Sequence, residues 1–369
     1  MQNKTIYQLA GPGVQQLIPY QPGKPVTELQ RELGLDKIIK LASNENPLGP
    51  GPNTVRAIQS ALPELARYPD GSGFELKHAL SAKHNLVTEQ ITLGNGSNEI
   101  LELLARTFLT PKSEVIFSQH SFAVYPLVTQ AVGAKGKSVP ALNYGHDLDA
   151  MLAAVSANTR IVFIANPNNP TGTYIQSNEV EAFIKALPEQ VLCVLDEAYY
   201  EFIDGNDHFD SITWLDRFPN LIITRTFSKA YGLAGLRIGY GLSSSLIADL
   251  LNRVRQPFNN NTLALVAAEA ALTDQEYLQK YQQLNCQGMK QLTDAFTTLG
   301  LPWIPSSGNF VSVDVKQDAA SIYEALLSKG VIVRPVANYE MPHHLRISIG
   351  LREENQFFID ALITVLNDV

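Results

Sequence analysis

Three segments of the chain carry side chains whose types and spacing could do chemistry. An Asn-Pro-Asn-Asn-Pro-Thr-Gly turn occupies residues 166–172, Asp-Glu-Ala-Tyr-Tyr occupies 196–200, and Arg-Thr-Phe-Ser-Lys occupies 225–229. Each follows a short apolar run, which is the pattern of a strand buried on both faces. Ligands of open α/β sheets lie beyond the carboxyl ends of the strands. We therefore expect the three segments to meet at one site.

Together these segments supply a set of functional groups that is hard to ascribe to chance. They contain an amine in Lys229, a carboxylate in Asp196, a phenol in Tyr199 and an amide in Asn169. Taken singly, each has a plainer explanation, because Asn-Pro-Thr-Gly is turn chemistry and a lone lysine is usually solvated. A glycine-rich stretch with Arg237 follows the lysine and suits a phosphate. The combination matches the groups needed to hold pyridoxal phosphate.

The elements that must position these groups follow from the hydrophobic pattern. Short apolar runs alternate with helical periodicity, which is typical of a mainly parallel α/β core. The clearest strand candidates are residues 115–117, 161–165, 191–195 and 221–224. One helix is predicted to open at Ser97. Another is predicted over residues 178–187, capped by Asn178 with Glu181 three residues further on.

The chain divides into three predicted parts. Residues 1–40 are rich in proline and glycine, and we expect them to form an N-terminal arm that joins the small domain. Residues 41–260 carry the polar segments and form the large cofactor-binding domain. Two long helical patterns followed by strand-like runs predict a smaller C-terminal α+β domain over residues 261–369.

Charge and composition limit the possible partners. The 369 residues include 28 Lys and Arg against 36 Asp and Glu, a formal charge of −8. This acidic balance gives no electrostatic basis for binding nucleic acid or an anionic membrane. Cys193 and Cys286 lack the spacing of a metal or redox site, which favours a reducing compartment. No apolar stretch suits a signal sequence or membrane span, so we expect a cytoplasmic protein.

Five segments resemble those of the fold-type I pyridoxal-phosphate aminotransferases, and among them the family that acts on histidinol phosphate. They are Pro-Tyr-Gln-Pro-Gly-Lys-Pro at 19–25, Leu-Ala-Ser-Asn-Glu-Asn-Pro-Leu-Gly at 41–49, Tyr-Pro-Asp-Gly at 68–71, Asn-Pro-Thr-Gly at 169–172 and Ser-Lys-Ala-Tyr-Gly-Leu-Ala-Gly-Leu-Arg at 228–237. The resemblance spans nearly the whole chain. It implies an α/β fold, with a mainly parallel seven-stranded sheet flanked by helices in the large domain and a smaller α+β domain.

The resemblance also implies a role for each residue that would face the cofactor. Lys229 would form a Schiff base with the cofactor aldehyde and then shuttle a proton, so its amine must be partly neutral. Asp196 would pair with the pyridine nitrogen and keep it protonated. Tyr199 and Asn169 would hydrogen-bond the ring oxygen O3′.

The remaining cofactor contacts follow from the same resemblance. A helix N-terminus and nearby donors would hold the cofactor phosphate. The residues expected in this cradle are Gly96, Ser97, Asn98, Thr226, Ser228 and Arg237. Phe122, in preference to Tyr125, should stack on the cofactor ring. In the family a tyrosine of the neighbouring subunit also reaches the phosphate, and because Tyr68 matches it, a homodimer with shared active sites follows by analogy.

The substrates implied are L-histidinol phosphate or imidazole-acetol phosphate and glutamate or 2-oxoglutarate, in L-histidine biosynthesis. Arg346 would anchor the α-carboxylate of glutamate and Arg334 the phosphate of histidinol phosphate, because a guanidinium donates two parallel hydrogen bonds. Asn44 and, from the partner subunit, Tyr20 would also contact the substrate. The alternative for Arg334 is an ordinary surface position on a strand. The alternative for Tyr20 is packing within the N-terminal arm, without a substrate contact.

Several other activities compete with this interpretation. Aromatic amino acid aminotransferases and threonine-phosphate decarboxylases share the cofactor framework, and a catalytically silent binding protein with the same fold is a further alternative. The substrate pose selects which bond at the α-carbon breaks, and the sequence leaves that pose open. A nicotinamide dehydrogenase is disfavoured because Gly94-Asn95-Gly96 lacks the third glycine of the fingerprint. No His-Glu-x-x-His motif supports a zinc enzyme.

Overall fold

The computed structural model describes residues 4–203, 205 and 209–368. The α-helices are α1 (Lys4–Leu9), α2 (Pro12–Gln15), α3 (Val26–Leu33), α4 (Pro52–Ala61), α5 (Phe74–His84), α6 (Ser97–Phe108), α7 (Val124–Ala131), α8 (Leu148–Ala153), α9 (Ser177–Ala186), α10 (Ser245–Val254), α11 (Thr262–Ala271), α12 (Gln275–Thr298), α13 (Ala319–Ser328) and α14 (Arg352–Asp368). The strands are β1 (Ile39–Lys40), β2 (Ile91–Gly94), β3 (Glu114–Ser118), β4 (Lys135–Val139), β5 (Thr159–Ala165), β6 (Leu192–Asp196), β7 (Leu221–Thr226), β8 (Gly239–Leu242), β9 (Trp303–Ile304), β10 (Phe310–Asp314), β11 (Val331–Ile332), β12 (Arg334–Pro335) and β13 (His344–Ser348). Residues 1–3 of the predicted arm and residue 369 of the predicted small domain lie outside the described residues.

Seven strands form the large sheet, in the order β2-β8-β7-β6-β5-β3-β4. All neighbours from β7 to β4 run parallel, whereas β8 pairs antiparallel with both β2 and β7. The four predicted apolar runs correspond to β3, β5, β6 and β7, whose residues are almost all buried. The predicted α/β fold class with a mainly parallel seven-stranded sheet is confirmed.

Helices cover both faces of this sheet, so alternate strand residues enter different cores. Val162 and Leu195 pack in the layer that contains α5, α8, α9 and α11. Phe163 and Val194 pack in the opposite layer, with α6, α7 and α10. By this alternation Asp196 belongs to the face of Val194, on the side of α6 and α7.

Helix α6 begins at Ser97, as predicted, but the predicted cap of α9 is wrong. Helix α9 begins at Ser177 and its N-cap is Gln176. The backbone N–H of Gln176 donates to the carboxylate of Glu179 at 3.3 Å. Gln176 and Asn178 each have a glutamate three residues further on, so the segment offers two possible caps. The structure uses the earlier pair, so Asn178 and Glu181 do not form the cap.

A second, four-stranded sheet has the order β12-β13-β10-β9 and is antiparallel throughout. Val313 and Leu345 of this sheet pack on Phe296 of α12 and Phe358 of α14. Ser312 lies opposite Arg346 across the β10–β13 ladder. The face that does not enter this core therefore presents Arg346 toward the large sheet.

The N-terminal segment contacts the C-terminal part of the chain. Strand β1 pairs parallel with β11, and Leu29 of α3 packs on Leu327 and Ile332. Helix α11 packs on α4 and α5, and its buried Ala264 and Ala268 belong to the core of the large sheet. The division at residues 40 and 260 stays a prediction. Among the described helices, none is long and apolar enough to cross a membrane.

Candidate active site

The carboxyl ends of β5, β6 and β7 meet at one edge of the large sheet. In the ladders Ala165 lies beside Asp196, and Asp196 lies beside Thr224. This register brings the three polar segments predicted from the sequence to one cavity. Predicted site residues that line this cavity are Tyr20, Asn44, Ser97, Asn98, Phe122, Asn169, Asp196, Tyr199, Thr226, Ser228, Lys229, Arg237, Arg334 and Arg346.

Both carboxylate oxygens of Asp196 accept hydrogen bonds. The Tyr125 hydroxyl donates to Oδ2 at 2.8 Å, and the Thr224 hydroxyl donates to Oδ1 at 2.8 Å. The residue is 4% exposed, and burial raises the pKa of Asp196 although the two hydrogen bonds act in the opposite direction. A cationic ligand group in contact with Asp196 would therefore stabilise a buried charge that has no positive partner among the described residues.

Lys229 lines the same cavity as Asp196. Its Nζ donates to the carbonyl oxygen of Ser43 at 2.9 Å and lies 5.8 Å from the centroid of the Tyr199 ring. Burial lowers the pKa of Lys229 to about 7, and the positive charge of Arg346 contributes to this shift. A substantial fraction of the amine is therefore neutral and nucleophilic near neutral pH.

The hydroxyl of Tyr199 is also directed into the cavity. It accepts a hydrogen bond from Asn44 Nδ2 at 2.8 Å. Burial raises the pKa of Tyr199 to about 12, so the hydroxyl keeps its proton. Within the part of the chain that the structure describes, that proton has no acceptor, which leaves it available to a ligand oxygen.

One end of the cavity is built to receive an anion. Ser97 and Asn98 are the first residues of α6, where backbone N–H groups have no partner within the helix. A Cβ at Gly96 would lie 2.4 Å from Nη2 of Arg237, so only glycine allows the guanidinium this close to the helix. Arg237 also donates to Ser228 Oγ at 3.3 Å. The N–H groups, the helix dipole and the guanidinium together suit a phosphate.

Arg346 reaches from the four-stranded sheet to the turn that follows β5. Its Nη1 donates to Asn169 Oδ1 at 2.6 Å, and its Nη2 donates to the carbonyl oxygen of Ala42 at 2.6 Å. The Nε atom is buried and has no hydrogen-bond partner among the described residues. A guanidinium with a spare buried donor is suited to a carboxylate ligand.

Arg334 supplies a second guanidinium at the same cavity. Its Nη2 donates to the carbonyl oxygen of Gln21 at 2.7 Å, and its guanidinium lies 5.6 Å from the centroid of the Tyr20 ring. Residues 20 and 21 of the N-terminal segment thus contact Arg334 from within the same chain. The prediction that Tyr20 reaches the site from the partner subunit is therefore corrected, because the N-terminal segment packs on the C-terminal part of its own chain and brings Tyr20 to its own cavity. Two guanidinium groups at one cavity, in addition to the phosphate cradle, favour anionic substrates.

Comparisons with known proteins agree with this geometry. A family model described as aminotransferase class I and II matches residues 36–362. The chain belongs to this aminotransferase family. It is 61% identical over 360 residues to histidinol-phosphate aminotransferase 2 of Pseudomonas fluorescens, covering 97% of each chain. It is 58% identical over 368 residues to histidinol-phosphate aminotransferase 1 of Nitrosococcus oceani, covering 100% of each.

A solved structure is similar along the same length. Histidinol-phosphate aminotransferase from Sinorhizobium meliloti, in complex with pyridoxal-5′-phosphate, has a TM-score of 0.90 to this aminotransferase. The two are 32% identical, and the match covers 97% of each chain. The resemblance stated from sequence motifs is therefore confirmed at the level of family and fold.

Two residues predicted to bind the cofactor do not line the cavity of this aminotransferase chain. Gly96 is not among the lining residues, but its lack of a side chain makes room for Arg237. Tyr68 is 83% exposed and stacks on Phe258 with ring centroids 4.9 Å apart. Phe122 does line the cavity, so of the two aromatic candidates it is the one placed to meet a ligand ring.

Sequence reasoning missed three residues that hold the site together. The sequence offers Tyr125 only as the alternative ring-stacking residue, yet it is fully buried and donates to Asp196. Thr224 lies two residues before Thr226 on β7, so strand alternation was the available signal for its role. Ser348, which contacts Asn44, lies two residues after Arg346 on β13, so strand alternation was the available signal there too.

The donor set of this aminotransferase fits pyridoxal phosphate group by group. The cradle at α6 matches the phosphate, and buried Asp196 matches a ring nitrogen that can be protonated. The Tyr199 hydroxyl matches the ring oxygen, and the partly neutral amine of Lys229 matches the aldehyde. These groups face one cavity, which is the arrangement that a single ligand requires.

Proposed function

We propose that the protein is a pyridoxal-phosphate-dependent aminotransferase that moves an amino group between L-histidinol phosphate and 2-oxoglutarate, in L-histidine biosynthesis. The observation that carries this proposal is the buried amine of Lys229 facing the same cavity as Asp196, Tyr199 and Arg346. The relatives that bear this activity in their names match over essentially the full length of the chain. The cavity supports the cofactor chemistry, and the relatives support the choice of substrate.

In this proposal each wall of the cavity holds one part of the cofactor. Asp196 stabilises the positive charge of the ring nitrogen, and Phe122 covers one face of the ring. Tyr199 and Asn169 contact the ring oxygen. Ser97, Asn98, Thr226, Ser228 and Arg237 bind the phosphate, and Gly96 makes room for that cradle. When bound, pyridoxal phosphate supplies an electron-withdrawing ring that stabilises negative charge at the α-carbon of the substrate.

Lys229 has two roles in this proposal. It would hold the cofactor through its aldehyde, and with substrate bound its neutral amine would carry a proton between the α-carbon of the substrate and C4′ of the cofactor. A pKa near neutrality suits both steps, because the same nitrogen must accept a proton and release it. The contact with the Ser43 carbonyl keeps the amine at the cavity wall.

Each of the two guanidinium groups binds a different substrate. Arg346 anchors the α-carboxylate of glutamate, for which its unpaired Nε is the available donor. Arg334 binds the phosphate of histidinol phosphate, and Tyr20 packs beside it. Because histidinol phosphate carries no carboxylate, its amine reaches the reacting position through the phosphate contact.

We further propose a cytoplasmic homodimer. Tyr68 is exposed on the surface of its own chain, so it would reach a cofactor phosphate only in the cavity of a second copy. The two cysteines are free thiols, Cys193 buried and Cys286 exposed, which is consistent with a reducing compartment.

The test is a spectral titration of the purified holoenzyme without a keto acid. L-Histidinol phosphate should bleach the visible band of the cofactor at much lower concentration than L-phenylalanine.

Arg334→Gln should raise the concentration of histidinol phosphate that is required for this bleaching at least about tenfold, as loss of a charged hydrogen bond predicts. Arg352→Gln, at an exposed position, serves as the matched control. Preferential bleaching by phenylalanine would contradict the substrate, and a protein without a visible band would contradict the cofactor.

Release of carbon dioxide from O-phospho-L-threonine would point instead to decarboxylation.

A covalent adduct trapped with borohydride should map to the peptide that contains Lys229. An adduct on another lysine would contradict the assignment of the nucleophile.

A further inference from the structure

A closed pair of hydrogen bonds joins Asn44 to Ser348 at the end of β13. The backbone N–H of Asn44 donates to Ser348 Oγ at 2.7 Å, and Ser348 Oγ donates to Asn44 Oδ1 at 3.0 Å. Asn44 Nδ2 then donates to the hydroxyl oxygen of Tyr199 at 2.8 Å. The three residues are 1%, 3% and 3% exposed, so they form one buried chain from the four-stranded sheet to the cavity.

The directions of these hydrogen bonds follow from the donors and acceptors available. Ser348 has one hydroxyl hydrogen, and because its oxygen already accepts from the backbone of Asn44, that hydrogen goes to Oδ1. The amide oxygen is then occupied, so the NH₂ group must face Tyr199. The Tyr199 oxygen accepts, and its own hydrogen therefore lies on the cavity side.

The reversed amide would be costly. With Nδ2 facing Ser348, two N–H groups would compete for one hydroxyl oxygen, and the hydroxyl hydrogen would lose its acceptor in a buried position. Asn44 would then accept the hydroxyl hydrogen of Tyr199 and withdraw it from the cavity. The hydroxyl of Ser348 is the group that selects between these two arrangements.

The backbone of Asn44 is held as firmly as its side chain. Its φ of 53° lies in the left-handed region, which asparagine adopts more readily than most residues. Asn309 Nδ2 donates to the Asn44 carbonyl at 3.0 Å, and the Ser348 N–H donates to the carbonyl of Leu41 at 2.8 Å. The amide therefore has no freedom to reorient by moving the main chain.

We propose that Ser348, acting through Asn44, is a positioning residue that keeps the Tyr199 hydroxyl a donor toward the ring oxygen O3′ of the cofactor. The inference rests on the proposed cofactor but not on the identity of the amino donor. It assigns Asn44 to positioning the cofactor contact, where the sequence predicted a substrate contact. A donor at O3′ draws negative charge away from the neighbouring nitrogen of Lys229, which then loses its proton at a lower pH.

The test is the pH titration of the visible band of the holoenzyme. Ser348→Ala should move the midpoint to higher pH by about one unit, the size that corresponds to one such hydrogen bond. Tyr199→Phe should move it in the same direction. In the double variant Ser348→Ala should add no further shift, because its effect passes through the tyrosine hydroxyl.

Control variants separate this role from simple packing. Ser348→Thr keeps a hydroxyl and should keep the wild-type midpoint. Ser243→Ala removes a buried hydroxyl just beyond the far end of β8 and should leave the midpoint unchanged. If Ser348→Ala fails to fold, Ser348→Cys takes its place. The midpoint of its pH titration should also move to higher pH, because a thiol is a weak donor.

The possible failures are distinguishable. An unchanged midpoint in Ser348→Ala, or an undiminished shift in the Tyr199→Phe background, would overturn the inference and leave the proposed function standing. A wild-type protein whose visible band cannot be formed with pyridoxal phosphate would overturn the proposed function, and the inference with it.

Discussion

At the scale of single residues, burial gives Lys229 a chemistry that a surface lysine does not have. An ordinary lysine amine, with a pKa near 10.5, is almost fully protonated at neutral pH. In this cavity desolvation, aided by the charge of Arg346, lowers the pKa to about 7. Both causes act against the charged form, so they add.

The pH dependence of cofactor attachment should report this pKa. Only the neutral amine attacks the aldehyde, so the rate at which apoprotein captures pyridoxal phosphate should rise through about pH 7 and level off above it. Arg346→Gln removes a nearby positive charge and should move the midpoint upward, whereas Arg352→Gln at the surface should not. Stopped-flow absorbance at a series of pH values measures both. A rate that keeps rising toward pH 10 would contradict the burial argument.

At the scale of elements, the phosphate cradle depends on how closely a loop and a helix approach. Gly96 precedes α6 with a φ of +81°, and a side chain there would collide with Arg237. Because residue 96 has no Cβ, the guanidinium can approach the helix N-terminus this closely without being displaced.

Gly96→Ala should weaken binding of pyridoxal phosphate by about tenfold or more, since backbone strain of about 1–3 kcal/mol adds to the displaced guanidinium. Gly235→Ala is the matched control, because a Cβ there meets no atom within 4 Å. Equilibrium dialysis of the two apoproteins compares them. Equal affinity in both variants would mean that the cradle does not hold the phosphate.

The ends of β6 and β7 are also joined on the face away from the cavity. Arg225 Nε donates to Glu197 Oε2 at 2.8 Å, and Arg225 Nη2 donates to Asp210 Oδ1 at 3.1 Å. The side chains of Arg225 and Glu197 are 3% and 6% exposed. Because Glu197 follows Asp196 directly, this pair also stabilises the strand end that carries the site.

Arg225→Met should lower the free energy of unfolding by about 3–5 kcal/mol, because it leaves the Glu197 carboxylate buried without its partner. Arg217→Met breaks a more exposed pair with Glu181 and should cost about 0–1 kcal/mol. Urea denaturation of both variants provides the comparison. A cost for Arg225→Met as small as that of the control would show that the buried pair adds no stability.

At the scale of the whole molecule, the exposed residues indicate a surface that a second copy would cover. Ile6, Leu9, Val14 and Ile18 of the N-terminal segment are 65%, 81%, 48% and 76% exposed. Several large apolar side chains left in water within one short segment suggest a surface that another molecule covers. Together with the outward position of Tyr68, this surface supports the proposed homodimer.

Subunit mixing tests whether two copies share each site. Lys229→Ala should be inactive, and Tyr68→Ala should lose activity through weak retention of cofactor. In a mixed dimer one cavity receives both intact residues, so co-refolded variants should regain activity that neither has alone. As a control, Lys229→Ala is mixed with the surface variant Lys290→Ala, whose cavity is intact. This mixture shows how much activity remains when inactive and active subunits are simply combined. No gain over the separate variants would contradict the shared site.

The sequence was sufficient for features that depend on neighbours along the chain. Short apolar runs predicted β3, β5, β6 and β7, because burial on both faces leaves no polar position within them. The polar residues at their ends were predicted to meet, since parallel strands end at a common edge of the sheet. Local polar patterns were weaker evidence, and the cap of α9 lies two residues earlier than predicted.

Only the tertiary structure decided which groups complete the site. Asn44 and Ser348 are 304 residues apart, and Tyr125 and Asp196 are 71 apart, so no local pattern predicts either contact. The role of Asn44 depends on which atom each neighbour donates or accepts, and packing of the two sheets sets those neighbours. Local propensity specified the strands and their polar ends. The direction of a buried hydrogen bond arises only where distant segments exclude water together, because there every donor must find a protein acceptor.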